Sequence, residues 1–191
     1  MMERIAEVSP RFKARIAGVL YLLGVLTAVF AEFVVRGSLG FAAVFIPVSC
    51  YIAVTLLLYG IFKPVDRSLC LLAVCFNLVG LTFEALQLQP RAVNIGMVFH
   101  GFYCLLIGYL IFRSTFLPRI LGALMAFAGL VWPIYLLPPV ANYLSPYNSA
   151  SGLLGEGSPM LWLLVIGVNV PRWEKQASAA AIGDSQRAMH S

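Results

Sequence analysis

The chain has 191 residues, of which 61% are hydrophobic and only 11% are charged, and its formal net charge is +5. Soluble domains carry about 25% charged residues, so this composition excludes a soluble globular domain and a disordered chain. It also excludes a nucleic-acid-binding protein, because the excess of Lys and Arg is explained by membrane topology, as argued below.

Six apolar stretches follow one another along the chain, each close to the roughly 20 residues that a helix needs to cross a bilayer. None contains Lys or Arg, and none alternates polar and apolar residues as a barrel strand would. The sequence therefore predicts an all-α fold, a six-helix transmembrane bundle over residues 16–170. The predicted helices cover 16–35, 40–62, 69–88, 93–112, 120–138 and 153–170.

The distribution of basic residues predicts the orientation of this bundle, because Lys and Arg concentrate on the cytoplasmic side of membrane proteins. If residues 1–15 lie in the cytoplasm, only Arg36 and Arg91 face the other side. Both termini are therefore expected to be cytoplasmic. The tail 171–191 is rich in Ala and Ser and is expected to be a flexible cytoplasmic segment. The basic residues on the predicted cytoplasmic side are Arg4, Arg11, Lys13, Arg15, Lys63, Arg67, Arg113, Arg119, Arg172, Lys175 and Arg187.

Ionisable side chains inside membrane helices are costly and usually face the bundle interior or a watery cavity. Four helices each place one such residue on the predicted outer side, roughly 5–11 Å below the interface if each residue rises 1.5 Å. These four residues are Glu32, Glu84, His100 and Glu156. We expect them to meet in one polar pocket in the outer leaflet, open to the outside. The expected ligand-binding residues are Glu84, His100, Gln87, Asn77, Glu32 and Glu156.

Helical spacing supports a shared face for several of these residues. In the third helix the polar and small residues fall on one stripe, and in the fourth helix they recur at steps of four. The alternative is that these groups only form hydrogen bonds between helices, with Glu84 or His100 fixing the helix register. The two stripes are Asn77, Gly80, Glu84 and Gln87, and Gly96, His100, Cys104 and Gly108.

The spacing of the residues gives little support for a metal site or for a site built on paired cysteines. His100 is the only His within the predicted spans, and no His–Glu pair at i, i+3 or i, i+4 indicates a metal site. The four cysteines, Cys50, Cys70, Cys75 and Cys104, lack a CxxC pair and are expected to be small buried hydrophobes. We expect no catalytic residue, no cofactor and no bound metal.

Three segments resemble a bacterial membrane family, the domain of unknown function 4386. They are Arg15–Gly24 (RIAGVLYLLG), Gly108–Ser114 (GYLIFRS) followed by Phe116–Gly122 (FLPRILG), and Leu161–Val168 (LWLLVIGV), and the resemblance covers most of residues 15–170. It implies a bacterial multi-pass protein of the inner membrane and no particular activity.

The sequence thus predicts a membrane protein that binds a small or amphipathic ligand, or a membrane partner, in the outer-leaflet pocket. Its expected partners are the lipid bilayer and that ligand, with no nucleic acid. A proton-coupled transporter is the alternative, and an intramembrane enzyme or redox protein is a third hypothesis.

Overall fold

The computed structural model describes residues 9–34, 38–88, 90 and 93–189, with the backbone alone for 31–34, 38–43, 184 and 187–189. Over these residues the chain forms eight α-helices and no strand, as the all-α prediction requires. The helices are α1 (Pro10–Val34), α2 (Ser38–Phe62), α3 (Arg67–Ala85), α4 (Ile95–Arg113), α5 (Arg119–Val131), α6 (Pro138–Leu144), α7 (Tyr147–Val165) and α8 (Val170–Met189). A 3₁₀-helix, Trp132–Leu136, continues α5.

Consecutive long helices run antiparallel, so the bundle has two distinct ends. One, which we call the α3–α4 end, is where α3 stops and α4 begins. The opposite one, which we call the basic end, is where α2 and α4 stop and α3 and α5 begin. At the basic end Arg15 Nη2 donates to the carbonyl of Val165, and Arg113 lies 3.6 Å from Asp66. The described Lys and Arg residues therefore gather at one end, which is the asymmetry expected of a membrane protein.

Five stretches of the described chain are long and apolar enough to cross a membrane. They are Pro10–Phe30, Val44–Phe62, Arg67–Ala85, Ile95–Arg113 and Arg119–Leu136. A sixth crossing is counted only if α7 and α8, which meet at a bend of 103°, are taken as one broken span. The prediction of a multi-pass helical membrane protein is confirmed, with five to six apolar spans.

The last predicted span, 153–170, differs from the structure at both ends. Helix α7 begins at Tyr147 and ends at Val165, and the short α6 precedes it. Asn148, Ser149 and Ser151 look like loop residues in the sequence, but here they form the first turns of α7. The Asn148 amide donates to the carbonyl of Ala141, and Ser149 pairs with Tyr135 at 3.0 Å, so these polar groups are satisfied within the bundle.

Helices α4 and α5 approach each other closely along a seam of glycines. A Cβ at Gly108 would lie 2.8 Å from the carbonyl oxygen of Gly122, and a Cβ at Gly129 would lie 2.8 Å from that of Gly101. Small residues let helix backbones come together where no hydrophobic effect drives association within lipid. This seam fixes α4 against α5 and positions the residues that α4 contributes to the bundle interior.

The segment expected to be a flexible tail is instead the helix α8. Its Ala-rich sequence has high helix propensity, and three contacts fasten it across the basic end. Trp173 Nε1 donates to the carbonyl of Ile61 at 2.8 Å, and both the amide and the hydroxyl of Thr115 donate to Gln176 Oε1. Composition alone did not reveal these contacts with the ends of α2 and α4.

Candidate functional site

The carboxylate of Glu156 lies at the centre of the bundle, near the middle of α7. It accepts hydrogen bonds from the hydroxyl of Tyr21 on α1 and from Trp132 Nε1 on the 3₁₀-helix. His100 Nε2 on α4 lies 3.1 and 3.0 Å from its two oxygens. Glu156 is only 4% exposed, so three other segments of the bundle meet on one buried carboxylate.

The other side of the His100 ring continues the chain of hydrogen bonds to α3 and α2. His100 Nδ1 lies 3.2 Å from Asn77 Oδ1, and Asn77 Nδ2 donates to Thr55 Oγ1 at 2.5 Å. The Thr55 hydroxyl in turn donates to the carbonyl of Tyr51 at 2.7 Å. We call the connected side chains of Thr55, Asn77, His100, Glu156, Tyr21 and Trp132 the polar network; each comes from a different helical segment.

The direction of these hydrogen bonds fixes where the protons lie. Since the Thr55 hydroxyl donates to a carbonyl, its oxygen accepts from Asn77 Nδ2, and Asn77 Oδ1 therefore faces His100. His100 Nδ1 must then carry a hydrogen. One further proton is shared between His100 Nε2 and Glu156, which gives either an ion pair or two neutral groups. Both arrangements leave the pair without net charge, which suits a site surrounded by hydrocarbon.

Aromatic rings enclose the imidazole of His100. The rings of Tyr51, Tyr103 and Trp132 have centroids 6.1, 5.6 and 6.2 Å from it. Tyr21 packs edge-on against Tyr51 at 5.4 Å. As a result the His100 side chain is 15% exposed and that of Glu156 is 5% exposed. No buried side-chain nitrogen or oxygen in the described part of the chain lacks a hydrogen bond, so the polar network is both shielded and satisfied.

Cys104 lies beside this network, one turn after His100 on the same face of α4. It is completely buried. Its sulfur, one ring nitrogen of His100 and one carboxylate oxygen of Glu156 all lie within 4.8 Å of one another. These three atom types are ligands that transition metals favour, so the arrangement is chemically able to hold such an ion.

Glu84 lies near the network without joining it. Its carboxylate packs directly on α4, because a Cβ at Gly96 would lie 2.6 Å from Glu84 Oε1. Gly96 is one turn before His100, which places Glu84 roughly 6 Å along the helix axis toward the α3–α4 end. No hydrogen bond joins Glu84 to His100 among the described residues. Glu84 is half-buried and lies between the network and the α3–α4 end.

Gln87 does not belong to the same face, contrary to the predicted stripe. Helix α3 ends at Ala85, and Gln87 follows it in the left-handed conformation with φ 51°. The amide of Gln87 donates to the carbonyl of Glu84, and that of Leu88 donates to the carbonyl of Phe83. This is a Schellman motif, and it turns the exposed Gln87 away from the helix before the predicted register can continue.

The predicted depths also need correction. Glu156 was expected about one turn below the outer interface, on the assumption that its helix begins at 153. Because α7 begins at Tyr147, Glu156 lies at mid-helix. The side chain of Glu32 lies outside the described side chains. His100, Asn77 and Glu156 are thus brought together by the structure, and Glu84 is adjacent to them.

Tyr21, Trp132 and Thr55 are members of the network that the sequence did not single out. Each lies in an apolar stretch, where an aromatic or a Thr is most simply interpreted as a core residue. A signal was available for two of them, because buried Tyr hydroxyls and Trp N–H groups usually need a hydrogen-bond partner. An intramembrane carboxylate in another helix is an obvious acceptor for both.

A small apolar cavity adjoins the network on the side of the basic end. It is lined by Tyr21, Ile107, Met125, Met160 and seven further residues, with no polar surface. Apolar cavities of this kind stay dry, so it does not extend the polar network. Because Met side chains are flexible, Met125 and Met160 can change conformation beside the Tyr21 ring.

Comparisons with known proteins agree with the resemblance stated from the sequence. Residues 81–167 match the family model described as Domain of unknown function (DUF4386). An uncharacterized protein of Archaeoglobus fulgidus is 24% identical over 135 residues, covering 65% of this chain and 81% of that protein. No solved structure matches. The matched range includes His100, Cys104, Trp132 and Glu156.

Proposed function

We propose that this protein is a multi-pass protein of the bacterial cell membrane that binds a small ligand at the polar network. Its termini lie in the cytoplasm, so that the α3–α4 end faces outward. The observation that carries this proposal is the buried His100–Glu156 pair at the meeting of six helical segments. Ionisable groups within a membrane bundle are costly, and they usually mark binding or translocation sites.

Two features of the surroundings support binding rather than catalysis at this pair. The aromatic rings around His100 exclude bulk water, and water is the co-substrate of hydrolytic chemistry. The half-buried Glu84 lies between the network and the α3–α4 end, where it is placed to attract a cationic ligand. The site is therefore best suited to a small positively charged ligand that enters from this end.

Co-purification tests the proposal even though the ligand is unidentified. Wild-type protein and the Glu156→Gln variant are purified from the same membranes, and bound organic species and elements are measured by mass spectrometry. We expect a species present in stoichiometric amount in the wild type and lost in Glu156→Gln. Glu174→Gln on α8 is the matched control and should retain it. Identical contents in wild type and Glu156→Gln would refute the proposal.

The orientation is tested separately with reporter fusions after Ser191. A fluorescent protein that folds only in the cytoplasm should be bright, and an alkaline phosphatase that needs the periplasm should be inactive. The reverse pattern would place the α3–α4 end in the cytoplasm.

The hypotheses of a proton-coupled carrier and of an intramembrane enzyme stay predictions. The mid-helix position of Glu156 favours the carrier over the enzyme, because substrate sites of secondary transporters lie near the bilayer midplane. Flux of the co-purified species into proteoliposomes, absent for Glu156→Gln, would identify a carrier.

A further inference from the structure

We propose that His100, Cys104 and Glu156 bind a transition-metal ion, with Zn²⁺ the best fit, in the middle of the helix bundle. This inference rests on the proposed function, because it names the class of ligand for the same site. Two of the ligands, His100 and Cys104, lie one turn apart on α4, and the third, Glu156, lies on α7.

The distances between the three side chains suit a shared ion. In a tetrahedral site with metal–nitrogen and metal–oxygen bonds of about 2.0 Å, neighbouring ligand atoms are about 3.3 Å apart, and a sulfur ligand is slightly farther. His100 Nε2 already lies 3.0 and 3.1 Å from the carboxylate oxygens of Glu156. The Cys104 sulfur completes a set whose members lie within 4.8 Å of one another, so the sulfur has to approach the other two atoms by up to about 1.3 Å when an ion binds.

The neighbouring residues orient the ligands as metal sites require. A metal-bound His usually donates its other ring N–H to a carbonyl or carboxylate, which fixes the tautomer. Here His100 Nδ1 faces Asn77 Oδ1, and Asn77 is held by Thr55. A metal-bound carboxylate is usually hydrogen-bonded as well, and Glu156 accepts from Tyr21 and Trp132.

Charge balance favours a divalent ion at this position. A Cys thiolate and a Glu carboxylate carry two negative charges, which a divalent ion neutralises, while His binds as a neutral imidazole. The buried site then has no net charge, as hydrocarbon surroundings require. A set of one nitrogen, one sulfur and one oxygen fits Zn²⁺ and its transition-metal neighbours, whereas Mg²⁺ and Ca²⁺ prefer oxygen ligands alone.

The competing explanation is a hydrogen-bonded network without an ion, in which the Cys104 thiol only donates a weak hydrogen bond to Glu156. The two explanations differ in what they require of the sulfur. A metal site needs the thiolate as a ligand, whereas the hydrogen bond to Glu156 needs only a donor, which a Ser hydroxyl also supplies. Substitution of Cys104 by Ser therefore separates the two.

Cobalt binding to detergent-purified, tag-free protein, first stripped of metal with a chelator, provides the test, because Co²⁺ occupies Zn²⁺ sites and absorbs strongly when a thiolate coordinates it. We expect a saturable thiolate-to-cobalt absorption band in the wild type, displaced by Zn²⁺. The band should disappear in Cys104→Ser and persist in Cys50→Ser, a matched substitution of a buried cysteine on α2. Asn77→Leu should keep the band but weaken Co²⁺ affinity about 10–100-fold, the usual effect of removing a residue that orients a metal ligand.

A wild-type protein without the band, or a Cys104→Ser variant that retains it, would overturn the metal site. The wild-type measurement does not depend on whether a variant folds. If the metal site fails but an organic species still co-purifies in a Glu156-dependent manner, the proposed function stands with another ligand. If neither is found, both proposals fail.

Discussion

The hydrogen bond from Tyr21 to Glu156 connects α1 with α7, and its removal tests whether the polar network stabilises the bundle. Tyr21→Phe deletes only the hydroxyl and keeps the ring that packs against Tyr51. Glu156→Met keeps the length of the side chain but removes both acceptor oxygens. Combining both substitutions in a double-mutant cycle isolates the interaction between the two side chains from their separate effects.

Two ranges bound the expected coupling energy. A hydrogen bond to a charged group contributes about 1.5–3 kcal/mol in soluble proteins. Double-mutant cycles within a membrane protein average about 0.6 kcal/mol and reach about 1.7 kcal/mol. Tyr21 is 3% exposed and Glu156 4% exposed, so neither group finds a substitute partner in water. We therefore expect a coupling near the upper membrane value, about 1.5 kcal/mol.

Reversible unfolding in mixed detergent micelles measures the free energy of unfolding of the four proteins in the cycle. Tyr109→Phe, which removes the hydroxyl of an exposed tyrosine near the basic end, is the matched control and should change stability by less than about 0.5 kcal/mol. A coupling energy indistinguishable from zero would refute the argument that Glu156 joins α1 to α7.

Two further predictions concern helix packing. Gly155→Ala should destabilise the protein by about 1–3 kcal/mol in the same unfolding assay, because the new Cβ would lie 2.6 Å from a backbone oxygen of α5. A Cβ at Gly157, two residues later, would have no atom within 4 Å, so Gly157→Ala should instead stabilise the protein by about 0.5–1 kcal/mol. Equal effects of the two substitutions on the free energy of unfolding would contradict the packing of α7 on α5. Trp173→Phe removes the hydrogen bond that holds α8 at the basic end, so limited proteolysis should cleave α8 several times faster. Trp162→Phe is its control, and unchanged cleavage of Trp173→Phe would show that α8 is held by other contacts.

The membrane helices could be predicted from the sequence because each is a long apolar run between short polar links. The first four predicted spans overlap α1 to α4 closely, since Asp66 and Asn94 cap α3 and α4 near the predicted starts. Helix α7 was harder, because its first turns contain Asn and Ser. Asn148 and Ser149 are satisfied by α6 and the 3₁₀-helix, and those contacts are tertiary and leave no trace in the local composition.

The candidate site was predictable in part for a similar reason. An imidazole and carboxylates inside apolar helices stand out in any sequence, so His100, Asn77 and Glu156 could be selected. Their partners could not, because Tyr21 and Trp132 are ordinary core residues until an acceptor is known to lie beside them. The error over Gln87 arose because helical spacing was extended past Ala85, where a Schellman motif ends α3 without the glycine that usually announces it.

The contact between His100 and Glu156 can be measured directly in the membrane by solid-state nuclear magnetic resonance. The chain has two histidines, so replacing His190 leaves His100 as the only ¹⁵N-labelled imidazole, and Glu is labelled with ¹³C at its carboxyl carbon. We expect carboxyl carbons to dephase the His100 Nε2 signal in lipid bilayers, and we expect Glu156→Gln to abolish this dephasing while Glu84→Gln does not. A wild-type His100 signal without dephasing, or one that still dephases in Glu156→Gln, would contradict a buried contact between His100 and Glu156.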